Sequence, residues 1–193
     1  IVVDDGSTDD TYQQAVRAGA IVVRNPTSIG YDSALSCGFA EAADRNHDPV
    51  ITMDADGEHD PKLIDQFLEE LRTVPLVLGR RPHTQRLAES IYGWFTTWRF
   101  GVHDIMCGMK GYRMALYYAN KGLGHCSSIG TELALFALWK GVPFCEICVH
   151  GRTRSDKPRF ASNLQGNYRI IKAMLQCSKV ARARARAYHY NAH

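Results

Sequence analysis

The sequence predicts an α/β domain with a mostly parallel central sheet flanked by helices. Short apolar runs of strand length alternate along the chain with stretches of helical periodicity. Two of those runs, Ile1-Val2-Val3 and Val50-Ile51-Thr52-Met53, pass directly into carboxylates. In open α/β sheets, ligands bind beyond the carboxyl ends of the strands, so these two endings are placed to face one crevice. With 193 residues, 45% hydrophobic and 22% charged, the chain suits one globular domain with a sizeable core.

Taken in order, Ile1 to Val3 is a strand and Asp4 to Asp10 a loop. Thr8 or Asp9 is the expected N-cap of a helix over Thr11 to Ala18. Ala20 to Val23 is a strand, 25–31 a loop, and Asp32 to Arg45 a helix with Ala34, Leu35, Gly38, Phe39 and Ala42 on one face. The strand at 50–53 delivers the acidic segment. Pro61 opens a helix whose Leu63, Ile64, Phe67, Leu68 and Leu71 form an apolar face, and Val74 to Leu78 is a strand. Leu87 to Phe100 reads as an aromatic-rich helix whose Trp94 and Trp98, like Trp139 later, are expected to pack. The glycines of 104–113 mark a loop entering a strand. Thr131 to Trp139 is a helix, Pro143 to Val149 a strand, 151–159 a basic loop, and 164–187 a basic helix-permissive stretch with an Arg-Ala repeat.

The formal charge of +3 is the difference of 23 basic and 20 acidic residues. Lys179, Arg182, Arg184 and Arg186 lie together near the end, so the rest is close to neutral and nucleic-acid binding is not indicated. There is neither a membrane-length apolar run nor a basic-then-apolar leader, which predicts a cytoplasmic location. The six cysteines are scattered and read mostly as reduced, buried thiols; Cys145-x-x-Cys148 has no second pair at zinc spacing. His59, His83, His103 and His150 are unclustered and read as surface or core residues.

Chemistry concentrates in Asp54-Ala55-Asp56-Gly57-Glu58-His59, with three carboxylates at i, i+2 and i+4 after a strand. Oxygen-only donors suit Mg²⁺ or Mn²⁺, and Mg²⁺ typically sits on one or two carboxylates with water and substrate phosphate completing its shell. An EF-hand calcium loop is rejected by the spacing: glycine is fourth instead of sixth, and Asp65 occupies the twelfth position where that loop needs glutamate. Asp4-Asp5-Gly6-Ser7 supplies carboxylates able to accept from a base N–H or a ribose hydroxyl.

These segments, together with the Gly30 loop, Leu78-Gly79-Arg80-Arg81 and Asp104-Ile105-Met106-Cys107-Gly108, stand in the order of the family 2 glycosyltransferases. The chain resembles that family over roughly residues 1–160, an ordered set more specific than any one motif. It is most similar to the branch of dolichyl- and polyprenyl-phosphate sugar synthases. The resemblance implies a GT-A fold and inverting transfer from a nucleoside-diphosphate sugar with Mg²⁺ or Mn²⁺. Val3, Asp5, Asp54 and Ala55 match nucleotide-binding positions, and Asp56 and Glu58 match metal ligands. Glu58 departs from the glutamine usual in that branch. Arg81 matches a phosphate-binding arginine. Arg152, Arg154, Lys157 and Arg159 resemble the cluster at the sugar diphosphate and acceptor phosphate, although this loop lacks the family's glycine.

Asp56 serves catalysis through the cation, and a hydroxyl acceptor would need Glu132 or Asp104 as general base, whereas an acceptor phosphate is already ionised and needs none. The implied acceptor is a polyprenyl or dolichyl phosphate or a related glycan-assembly acceptor. Two alternatives stay open: a hydroxyl-directed transferase of surface-polysaccharide synthesis, and an inactive truncated nucleotide-binding relative. The family's first strand and helix, with its Pro-x-Tyr-Asn-Glu motif, are expected upstream of Ile1. On this reading 1–163 is an N-terminally truncated catalytic domain, and an uncovered strand edge predicts poor stability or a homodimer. Residues 164–193 form a basic helical tail suited to lie on the inner face of a membrane.

Overall fold

A computed structural model describes residues 1–82, 87–128, 130–150 and 164–190. The elements in chain order are β1 (Val2–Asp5), α1 (Thr11–Arg17), β2 (Val22–Asn25), α2 (Tyr31–Asp44), β3 (Val50–Thr52), α3 (Leu63–Glu70), β4 (Leu76–Arg80), α4 (Leu87–Phe100), β5 (Lys110–Tyr112), α5 (Met114–Ala119), α6 (Glu132–Trp139), β6 (Phe144–Cys148) and α7 (Leu164–Tyr190). The α/β class holds. Its strands form two sheets: β1 and β2 pair in parallel, and a four-stranded sheet runs β3-β5-β4-β6. In the larger sheet β3, β4 and β6 share one direction, and β5 alone runs against them, between β3 and β4.

Strand alternation divides the core. Leu76 and Leu78 of β4 enter a large cluster with α2, α4, α6 and α7, while Val77 enters a smaller one with Phe67 of α3 and Leu71 just past its end. Helix α6 is apolar all round and buried from Leu133 to Leu138, as a central helix must be. Only part of the face expected on α3 is covered: Phe67 and Leu71 are buried, but Leu68 is exposed. The residue bounding α1 is Asp10, without a side-chain cap, and Asp9 accepts from Thr11 N–H and hydroxyl.

Three expectations are corrected here. Trp94 and Trp98 do not pack; each is 73% exposed. The buried stripe of α4 runs through Ala88, Tyr92 and Thr96, and a residue two places on lies about 200° round the helix. Second, the cysteines are not all free: Cys126 and Cys177 form a disulfide with Cα atoms 5.4 Å apart. Cys145 and Cys148 lie three apart on β6 and so point to opposite faces, which rules out a shared metal. Third, α7 is no free tail. Ile170, Met174, Cys177, Ala181 and Ala185 recur at helical spacing and are buried in the main core. The alanines of the Arg-Ala repeat therefore face inward, while Arg184 bonds the side chain and carbonyl of Asn120 and Arg182 lies over the Trp139 ring. The apolar stripe proposed for a membrane is occupied by protein.

Met174→Ala is expected to lower unfolding free energy by about 2–5 kcal/mol through the cavity it leaves. Leu175→Ala, on the outer face, should stay within about 0.5 kcal/mol. Urea denaturation of both variants checks this; a larger loss at Leu175 would contradict the assigned face.

Candidate active site

The first acidic segment closes on the loop that follows β2. Asp5 Oδ1 accepts from Asn25 Nδ2 at 2.8 Å and Ile29 N at 3.0 Å, and Oδ2 accepts from Ser28 Oγ at 2.8 Å and Gly30 N at 3.0 Å. Four donors fill the roughly four lone-pair positions of a carboxylate. The Ile29 N–H, with the Asn25, Ser28 and Gly30 donors, outweighs partial desolvation and holds the Asp5 pKa down from 3.8 to about 2. Gly6 is required for this closure: its φ is +75°, and a Cβ there would meet Ser28 N at 2.6 Å. Asp4 is buried, accepts from Ser7 N at 3.0 Å and lies 3.2 Å from Arg24 Nε. Val3 sits in β1, paired with Val23.

The same loop reaches the second acidic segment. At its end Tyr31 donates from its hydroxyl to Asp54 Oδ1 at 3.1 Å, so this loop links the two acidic segments. Beyond Asp54 the chain turns sharply: Asp56 Oδ1 accepts from Glu58 N at 3.0 Å, and Asp54 N donates to His59 Nδ1 at 3.1 Å. Ala55 is exposed, Asp56 and Glu58 are half-buried, and His59 is turned inward. Among the described residues no three His, Cys, Asp or Glu side chains are grouped to hold a metal. Asp56 and Glu58 supply oxygen donors of the kind that Mg²⁺ or Mn²⁺ takes together with phosphate and water.

Against this turn lies the segment entering β5. Thr52 Oγ1 donates to Gly108 O at 2.9 Å. A Cβ at Gly108 would stand 2.1 Å from Asp54 Oδ2 and 2.9 Å from His59 Cε1, so only glycine permits this approach. Lys110 is fully buried. Its desolvation lowers its pKa, opposed by the charges of Asp54 and Asp104.

Arg81 is committed to carboxylates. Nε and Nη2 bond Asp104 at 2.7 and 3.0 Å, Nη2 reaches Glu89 at 3.3 Å, and Arg81 N donates to Asp104 at 3.1 Å. Burial alone would raise the Asp104 pKa, but the Arg81 bonds and charge reverse it and the net shift is downward. Asp104 and Arg81 line an open cleft with Arg80, Gly93, Trp94 and His103. Glu132 lies elsewhere, on a small cavity with Asp32, Phe39 and Thr52. It is buried and accepts from Asn120 Nδ2 at 3.0 Å and from Gly124 N and His125 N at 3.1 Å. The two candidate bases thus line different cavities. Arg152, Arg154, Lys157 and Arg159 fall outside the described residues.

Sequence reasoning missed Tyr31, Asp32, His59, Arg80 and Lys110. Asp32 accepts from Ser128 N at 3.0 Å, Ser128 Oγ at 2.8 Å and Gly130 N at 2.8 Å, fixing the loop before α6. Its signal was its place in the first turn of α2, two residues after Gly30. No local pattern marks a lysine in a strand as buried.

The sequence pattern described as "Glycosyl transferase family 2" matches residues 1–119. An uncharacterized glycosyltransferase of Mycobacterium tuberculosis is 37% identical over 180 residues, 86% of this chain and 80% of that protein. Undecaprenyl-phosphate mannosyltransferase of Micrococcus luteus is 37% identical over 86 residues, which is 42% of this chain and 35% of that enzyme. Dodecaprenyl-phosphate galacturonate synthase of Rhizobium johnstonii is 31% identical over 140 residues, 64% of this chain and 40% of its own length. Among solved structures, glucosyl-3-phosphoglycerate synthase from Mycobacterium tuberculosis, in complex with Mn²⁺, UDP-glucose and phosphoglyceric acid, superposes with a TM-score of 0.69 at 18% identity, over 92% of this chain and 68% of that one. At that identity the likeness shows the fold alone.

Asp5→Ala is expected to lower the melting midpoint at neutral pH. A carboxylate whose pKa is depressed in the folded state stabilises fully above its ordinary value and loses that contribution as pH falls through about 2. The difference between wild type and variant should therefore be constant above about pH 5 and shrink towards pH 2, read by thermal melts across that range. A difference that grows on acidification would contradict it.

Proposed function

The chain belongs to glycosyl transferase family 2, and on that premise we propose that it transfers a sugar from a nucleoside diphosphate to a polyprenyl-type lipid phosphate. The observation that carries the acceptor class is the state of the two candidate bases. Asp104 is bound through both oxygens by Arg81, and Glu132 through both oxygens by Asn120, Gly124 and His125. A hydroxyl acceptor needs a carboxylate free to take its proton; an ionised phosphate does not. The curated relatives named for undecaprenyl and dodecaprenyl phosphate support the same acceptor.

In this reading the β2–α2 loop, clamped by Asp5, forms one wall of the nucleotide crevice, and Tyr31 carries that wall to Asp54. Asp5 itself could accept from a nucleoside only by releasing one of its loop donors. Asp54 and Ala55 border the diphosphate, and Asp56 and Glu58 hold the divalent cation. When bound, that cation neutralises charge developing on the departing nucleoside diphosphate. Arg81 orients Asp104 and closes the floor of the neighbouring cleft, at whose rim Arg80 is exposed to meet an acceptor phosphate. Trp94 on that rim and Trp98 one turn on present aromatic surface of the kind found at membrane interfaces, which suits a lipid acceptor and a peripheral location. No helix among the described residues is long and apolar enough to cross a membrane.

The alternative, transfer to a saccharide hydroxyl, requires Glu132 to leave its three donors. Removing this side chain also unlatches the 120–126 loop, so activity loss in a Glu132→Ala variant would not by itself identify a base.

Calorimetric titration of UDP and GDP, with and without Mn²⁺, into wild type and Asp56→Asn tests the donor half. Mn²⁺-dependent binding that weakens by about tenfold or more in the variant is expected. Binding that ignores both the metal and the substitution would contradict the assignment.

A further inference from the structure

We infer that His59 is a positioning residue of the donor site: its ring pins the 54–59 turn to the Cys107-Gly108 segment and thereby aims Asp56 and Glu58 into the crevice. This rests on the reading of that crevice as the nucleotide and cation site.

His59 is 3% exposed although it belongs to an acidic surface turn. A backbone N–H can only donate, so the 3.1 Å contact from Asp54 N requires His59 Nδ1 to be the acceptor. The proton of the neutral ring then sits on Nε2, which points at Cys107 Sγ, 3.9 Å away. Cys107 is completely buried, and that burial keeps its thiol protonated by raising its pKa. The ring therefore has one defined tautomer, with a different partner on each nitrogen. Its Cε1 edge fills the space that a side chain at position 108 would take, 2.9 Å from an ideal Cβ there. The turn is completed by Glu58 N donating to Asp56 Oδ1 at 3.0 Å. Buried His59 and the half-buried Asp56 and Glu58 thus belong to one short turn, and the ring is its fixed point. Partners one shell behind ligating carboxylates commonly alter metal affinity by about 10–100-fold when removed.

His59→Asn and His59→Gln separate the two ring nitrogens while keeping a polar, foldable side chain. Asparagine places its carbonyl oxygen near the Nδ1 position; glutamine extends its amide to the Nε2 position and leaves Asp54 N–H without an acceptor. Two readouts are combined: affinity for UDP and GDP with Mn²⁺ by calorimetry, and hydrogen exchange at the Asp54 amide. The expected result is that His59→Asn retains Asp54 protection and binds within about threefold of wild type, while His59→Gln loses protection and weakens Mn²⁺-dependent binding by about tenfold or more. Equal behaviour of the two variants, whether both intact or both impaired, overturns the inference. If wild type itself binds neither nucleotide, the donor-site reading fails. The Asp54 exchange rates then decide the positioning role on their own: protection lost only in His59→Gln upholds it, and protection unchanged in both variants overturns it.

Discussion

The arrangement of the site depends on one close approach, that of Gly108 to the carboxylate of Asp54. Because position 108 carries no Cβ, the segment entering β5 can lie against the end of β3, and Thr52 Oγ1 holds it there through the Gly108 carbonyl. The consequences spread along both chains. On one side His59 can tuck beneath Asp54; on the other, Lys110 enters β5 with its ammonium group buried below the crevice and Asp104 is carried to Arg81. Two motifs some fifty residues apart in sequence become one wall.

Charge is balanced locally throughout this wall. Arg81 faces Asp104 and Glu89, while Lys110 is attracted by Asp54 and Asp104. Breaking one member of such a buried set leaves its partner uncompensated and is strongly unfavourable. Asp56 and Glu58 stand apart from this set on the half-buried turn that follows β3.

Much of this was legible in the sequence, and what was not has physical reasons. Strand endings in carboxylates and helical periodicity located β1, β3, α2, α3 and α6 to within a few residues, since those signals are local. Helix α5 went unrecognised because its first N–H, on Met114, is satisfied by Asp48 Oδ1 at 2.9 Å from sixty-six residues away. The inward face of α7 was hidden by composition: in an Arg-Ala repeat the burial of Ala181 and Ala185 depends on α6 standing opposite. Asp5, Asp54, Asp56 and Glu58 stood out in the sequence as candidate oxygen donors, but nothing local tells that Asp5 is saturated by its own loop or that His59 turns inward. Those depend on contacts with 25–30 and 107–108, which only the fold supplies.

Gly108 lets the β5 segment brace the acidic turn, and Gly108→Ala tests this bracing most directly. With folding followed by circular dichroism and binding of UDP and GDP with Mn²⁺ by calorimetry, a folded variant with affinity reduced by about tenfold or more is predicted, because the added methyl must displace Asp54 or His59. A folded Gly108→Ala protein that binds as tightly as wild type would contradict the account.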